Sequence, residues 1–209
     1  MPDRTSPGFP AQLEHGVAER ALQGEPRSGD RAVLVAYPGG ALVAAIDGLG
    51  HGEGAGEAAD AAAAVLIAHP GEQPEALISR CHRALRRTRG VVMTCAWFEL
   101  DVPQLRWTGV GNVEGRLVRA AGDGPIRPTE GALTKGGVVG YNLPSVKVTQ
   151  TGLEDGDVIV LATDGIASGF AQDIAVGGTP QQIADRILDS HGRAADDALV
   201  VVVRYRAAV

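Results

Sequence analysis

Aromatic side chains are scarce in this sequence: two Trp, three Tyr and three Phe make up only 4% of it. With an apolar fraction of 44%, Ala, Val and Leu must do most of the packing. Cysteine is scarcer still. Cys81 and Cys95 sit in no metal-ligand pair, and two are too few for a disulfide scaffold. Cys81 falls in a helical pattern and Cys95 in a strand pattern, so both are expected as small core residues. No apolar run approaches the length needed to cross a membrane. The opening Met1-Pro2-Asp3-Arg4-Thr5 lacks a charged-then-apolar signal peptide, so the simplest expected location is the cytoplasm. Basic residues are in deficit, 19 against 25 acidic, for a net charge of −6. That balance argues against nucleic acid or an anionic membrane as partner. The nearest thing to a basic tract, Arg80-Cys81-His82-Arg83-Ala84-Leu85-Arg86-Arg87, reads better as the solvated face of an amphipathic helix.

What the chain does have is glycine set against aspartate. Asp47-Gly48-Leu49-Gly50-His51-Gly52 follows the apolar run Ala41-Leu42-Val43-Ala44-Ala45-Ile46, which reads as a buried strand. Glycine costs backbone entropy on folding, so such a cluster marks a tight turn or a close approach. The pattern recurs where Val158-Ile159-Val160-Leu161-Ala162-Thr163 runs into Asp164-Gly165. It is mirrored where Asp196-Asp197 leads into Ala198-Leu199-Val200-Val201-Val202-Val203. Strand ends that carry Asp can meet at one edge of a sheet and hold a hard cation. Taken singly, each Asp has a plain structural reading, because Asp-Gly is a common turn and Asp196-Asp197 can simply start a strand. Jointly these readings weaken, since both Asp-Gly pairs lead into small-residue helical segments rather than short hairpin loops.

The length of 209 residues suggests one domain, with residues 1–10 loosely held and 11–209 folded. Strands are expected at 13–20, 30–37, 91–100, 105–110, 113–119 and 198–206, and helices at 57–68, 74–88 and 180–190. The strands of 91–119 read as an antiparallel meander, and 146–151 with 157–163 as a hairpin across Leu153-Glu154-Asp155-Gly156. The Gly- and Pro-rich stretch 122–144 is placed as a flap near the site. Antiparallel strands with two groups of helices suit an α+β architecture of two sheets face to face and helices outside. A dinucleotide reading of Gly54-Ala55-Gly56-Glu57-Ala58-Ala59 fails on spacing: the match starts seven positions past Asp47, and Pro70-Gly71 and a second helix follow where a strand is required.

Several of these blocks together resemble the metal-dependent Ser/Thr protein phosphatases of type 2C, and within them the SpoIIE-like branch with its small stressosome phosphatases. The blocks are Asp47-Gly48-Leu49-Gly50-His51-Gly52, Thr163-Asp164-Gly165-Ile166 and Asp196-Asp197-Ala198-Leu199, with Ser28-Gly29-Asp30 one hairpin upstream. Gly109-Val110-Gly111-Asn112 and Gly136-Gly137-Val138-Val139-Gly140 match its later blocks, and the likeness spans about residues 13–206. The resemblance implies a four-layer α-β-β-α sandwich with two antiparallel sheets. It implies two Mn2+ or Mg2+ ions, with Asp47 bridging them and the Gly48 carbonyl completing the second ion's shell. Asp164 and Asp196 would hold the first ion, Asp197 replacing Asp196 if the register slips by one, and Asp30 would sit beside the second through water. Two cations about 3.5–4 Å apart acidify a shared water and neutralise phosphoryl charge, so that water attacks phosphorus in line without a covalent enzyme intermediate. The implied substrate is a phosphoserine or phosphothreonine protein of bacterial signalling, of the STAS-domain type phosphorylated by an anti-sigma serine kinase.

The chain departs from the family pattern in places. Asn112 stands where many relatives have an Asp that supports a third metal, and Leu199 replaces a hydroxyl residue. The family's general-acid His corresponds to Leu49, so His51 is expected as an exposed side chain bonded to backbone, with proton donation to the leaving oxygen as its functional alternative. Arg20, Arg27 and Arg31 are candidates for gripping phosphate on position alone. Two rivals remain: a catalytically dead phosphatase fold that only binds a partner, and a nucleotide binder using the Gly54 region.

Overall fold

The computed structural model describes residues 8–119, 128–172 and 174–208. Its first sheet takes β1 (Leu13–Arg20), β11 (Ala198–Tyr205), β10 (Val158–Ala162), β6 (Glu114–Val118) and β7 (Pro128–Gly131) in that order. The second takes β2 (Asp30–Tyr37), β3 (Gly40–Gly48), β4 (Val91–Glu99), β5 (Gln104–Val110) and β8 (Thr134–Lys135), with β9 (Thr149–Gly152) also paired to β5. All described pairings are antiparallel except the two-residue β5–β8 match, which is parallel. Helices α1 (Glu53–Ala68) and α2 (Pro74–Ala84) cover the second sheet, and α3 (Pro180–His191) covers the first. The result is the expected α-β-β-α order. Among the described residues no helix is long and apolar enough to cross a membrane.

The period of two along each strand divides the core into three layers. In β3, Leu42, Ala44 and Ile46 face α1 and α2, whereas Ala41, Val43 and Ala45 face the other sheet. The same alternation carries Asp47 toward the inter-sheet side, after Ala45. Ala55, Ala58, Ala59 and Ala62 of α1 are fully buried, so the helix lies close on the sheet and little room is left for aromatics. Trp97 fills the space under the helices and donates through Nε1 to the Pro70 carbonyl at 3.1 Å. Cys81 and Cys95 are buried and unbridged, and burial pushes the Cys81 thiol up to about 12.

Three connections differ from expectation. The meander ends at β5, because β6 belongs to the other sheet. Residues 153–156 close no hairpin: β9 pairs β5 while β10 lies between β11 and β6. Val113 and Leu153, inside these two connections, are buried in the layer between the sheets and pull the chain across it. The 122–144 stretch is no flap in its described part, for β7 joins β6 in one sheet and β8 joins β5 in the other; residues 122–127 lie outside the described residues. Helix α1 begins earlier than expected, at Glu53, and α2 ends earlier, at Ala84. Residues 1–7 lie outside the described residues, while Phe9 packs on the inter-sheet core and edge-on to His15 at 5.0 Å.

Candidate metal centre

Antiparallel pairing brings the start of β2, the end of β3, the end of β10 and the start of β11 to one end of the sandwich. Asp30 and Asp47 are direct cross-strand partners. Asp164 follows β10, and Asp196 precedes β11. Asp47, Asp164 and Asp196 line one cavity of about 360 Å³, together with Asn112, His51 and Leu49. Residues far apart in sequence therefore share a pocket. Asp30 lies behind them, 1% exposed, and its Oδ2 accepts from the Thr163 hydroxyl at 2.7 Å. The same hydroxyl oxygen accepts from the Leu199 N–H at 2.9 Å, so Thr163 ties the first sheet to the second directly beneath the pocket.

Asp197 points elsewhere. Its Oδ1 accepts from the Leu22 N–H and its Oδ2 from the Gly29 N–H, both at 2.8 Å. Both oxygens are thus engaged in holding the β1–β2 connection against the start of β11. The geometry favours Asp196 of the two, since Asp196 faces the cavity.

The glycine after each Asp serves close approach rather than a left-handed turn. Neither Gly48 nor Gly165 has a positive φ. A Cβ on Gly48 would collide with the Ala55 carbonyl oxygen of α1, and one on Gly165 with the Asp197 carbonyl oxygen. Gly48 also donates to the Gly29 carbonyl at 3.2 Å, which fixes the end of β3 against the residue before Asp30.

The electrostatics of the site are those of crowded carboxylates. Burial, reinforced by Asp30, Asp164, Asp196 and Asp197, pushes the Asp47 carboxyl up to about 8. Burial pushes Asp30 up to about 7, against the pull of the Thr163 hydrogen bond. Asp196 is also raised, by burial and then by Asp164. Oxygen donors in such surroundings fit a hard divalent cation, whose charge relieves the repulsion. Among the described residues no group of three His, Cys, Asp or Glu side chains is arranged to hold a metal ion by itself. The carboxylates share a cavity without closing a three-point cage. Backbone carbonyls and water must complete any ion's shell, which is how magnesium is usually held.

His51 is exposed, as expected, but its Nδ1 lies 2.8 Å from Glu25 Oε1, a carboxylate rather than backbone. The Asn112 amide donates to Asp164 Oδ2 at 2.7 Å. None of the arginine candidates lines the cavity. Arg27 and Arg31 both pair with Asp60, and Arg20 donates to the Arg193 carbonyl at 3.2 Å. The glycines of the Gly54 region pack against protein: the Arg89 guanidinium lies over Gly54, and the Ser28 carbonyl over Gly56. Sequence reading missed Thr163 and Asp197 as supports of the site. Their only local signal is a polar residue beside a ligand candidate at a strand end.

Two sheets packed back to back, helices outside and aspartates gathered at one end define the type 2C phosphatase fold. The chain belongs to the Stage II sporulation protein E (SpoIIE) family, whose profile matches residues 37–206, and it is a phosphoprotein phosphatase. No curated protein matches the sequence. Among solved structures, a chain from work on the bacterial stressosome, a modular system adapted to control secondary messenger signalling, is 30% identical. It superposes with a TM-score of 0.83 over 92% of this chain and 99% of its own. RsbX in complex with magnesium is 21% identical, with a TM-score of 0.82 over 94% of this chain and 96% of its own. The phosphatase domain with a regulatory fragment of SpoIIE from Bacillus subtilis is 22% identical, with a TM-score of 0.75 over 94% of this chain and 64% of its own.

Proposed function

We propose that this chain, folded as one phosphatase domain over residues 11–209, hydrolyses phosphoserine or phosphothreonine on a bacterial signalling protein. The observation that carries the reading is the single cavity lined by Asp47, Asp164 and Asp196, with Asp30 buried behind it. In this reading Asp47 would be shared by two Mn2+ or Mg2+ ions, the Gly48 carbonyl and Asp30 would serve the second, and Asp164 and Asp196 would serve the first. Bound there, the ions would acidify a water and offset charge on the phosphoryl group. The protein's own part is to hold that charge field in place. Thr163 orients Asp30, Asn112 orients Asp164, and the Asp197 clamp fixes the loop that brings Leu22 to the cavity. The likeness to RsbX and to the stressosome chain supports a phosphorylated STAS-domain protein as substrate and a cytoplasmic site of action.

The test is hydrolysis of p-nitrophenyl phosphate and of a phosphorylated STAS-domain protein, with manganese, with magnesium and with EDTA. Turnover should require the metal and vanish in Asp47→Ala, which keeps its fold because it relieves repulsion at the site. Near-normal activity in Asp47→Ala, or equal activity in EDTA, would remove the two-ion assignment.

A further inference from the structure

The basic run is solvated, as expected, but only its first part is helical: α2 ends at Ala84, and Arg86, Arg87 and Arg89 follow it. Arg80 is engaged, donating from Nε and Nη2 to Glu72 at 2.8 and 3.0 Å. Arg83, Arg86, Arg87 and Arg89 are exposed and make no ion pair among the described residues. Elsewhere Arg31, Arg106, Arg119 and Arg204 each meet a carboxylate. Of these, Arg89 reaches the border of the carboxylate cavity. Arg89 Nη1 donates to the His51 carbonyl at 3.4 Å and lies against Gly50, and both Gly50 and His51 line the cavity. The next carbonyl, that of Gly90, accepts from the Leu49 N–H at 3.1 Å.

The other border of the group is the turn after β8. The Gly140 N–H donates to His82 Nδ1 at 3.0 Å, and Gly140 sits against Leu85 and Gly90. The following residue, Tyr141, is 86% exposed. An aromatic ring left in water is a common anchor in protein recognition. A chain of net charge −6 repels acidic partners as a whole. A run of exposed Arg that ends in Arg89, beside Gly50 and His51 of the acidic cavity, offsets that repulsion locally. Arg forks match carboxylates in a bidentate geometry, and rim charges raise the encounter rate and lower KM more than they change the chemical step.

We infer that Arg83, Arg86, Arg87 and Arg89, with Tyr141, form the docking surface for an acidic segment of the phosphoprotein substrate, beside the residue whose phosphate enters the cavity. This rests on the phosphatase reading above. The test uses two synthetic phosphoserine peptides, alike except that one carries Glu residues beside the phosphoserine and the other Gln. With manganese, the wild type should favour the acidic peptide by about tenfold in kcat/KM at low salt, with the difference fading as salt is raised. The variant Arg86→Glu with Arg87→Glu should lose that preference through KM. Its kcat and its hydrolysis of p-nitrophenyl phosphate should match the wild type. Fluorescence anisotropy of the acidic peptide without its phosphate should give the same order of affinities, and Tyr141→Ala should weaken binding. Equal treatment of both peptides by the wild type, or a preference kept by the variant, overturns the inference. Displacement of the acidic peptide by a single-stranded oligonucleotide that binds more tightly would overturn it in favour of nucleic acid. Failure of the phosphatase reading looks different: neither peptide nor p-nitrophenyl phosphate is hydrolysed, and anisotropy still decides the docking surface.

Discussion

At the start of β11 two adjacent carboxylates face different surroundings. Asp196 lines the cavity, while Asp197 accepts from the amides of Leu22 and Gly29. Replacing Asp197 by Asn sets an NH2 group against a backbone donor at a position only 4% exposed. The expected cost is about 2 kcal/mol, as for loss of a buried bond to a charged group, and urea denaturation measures it. Asp196→Asn should change stability by less than about 0.5 kcal/mol yet weaken manganese binding in calorimetry. The reverse pattern would exchange the two roles. Asp30 and Asp47 give a prediction about pH. Their carboxyls stand at about 7 and about 8 in the fold, against about 4 in an unfolded chain. The fold therefore favours their protonated forms. The stability so gained is fully present below about pH 4 and is lost as pH rises through about 8. In EDTA, Asp47→Asn should raise Tm above the wild type by about 2–4 °C near pH 9, for a gain of about 1 kcal/mol, and by less near pH 5. An equal shift at both pH values would mean that the Asp47 charge is not what destabilises the site.

Among the elements, the end of β3 depends on its contact with α1. Gly48 admits the Ala55 carbonyl where a side chain would stand. Gly48→Ala should cost about 1–3 kcal/mol, the usual penalty for overpacking, and should also weaken metal binding because Asp47 is displaced with it. Thermal melting and manganese titration check both; a fully stable variant with full affinity would show that the contact can relax. Much at this scale was legible in the sequence. The strands Leu13–Arg20 and Asp30–Tyr37 match their expected bounds, because alternation is a local property. The Asp residues were legible because each stands where an apolar run meets small residues. The connections at 111–112 and 153–156 were misread because a hairpin and a crossing between sheets use the same residue types. Val113, expected as the first residue of a strand, and Leu153, expected in a turn, both turn inward between the sheets, which the local pattern does not show. The Asp197 clamp and the Thr163 link depend on register across separate strands, which no local pattern carries.

For the molecule as a whole, the position of the cavity decides how metal and stability are coupled. Asp47 comes from one sheet, and Asp164 and Asp196 flank strands of the other, so metal bound in the cavity they share would link both halves of the sandwich. The unfolded chain scatters these carboxylates and has no comparable site. Binding to the folded state alone adds about 2.7 kcal/mol at a free metal concentration of about 100 times Kd. In a chain of this length each kcal/mol is worth about 2–4 °C. Saturating manganese should accordingly raise Tm by about 5–11 °C, as scanning calorimetry would measure, and EDTA should reverse the rise. Asp47→Ala should melt cooperatively but show almost none of this shift. Should Asp47→Ala keep the full shift, the stabilising ion binds somewhere other than between the sheets, and the cavity loses its assignment as the metal centre.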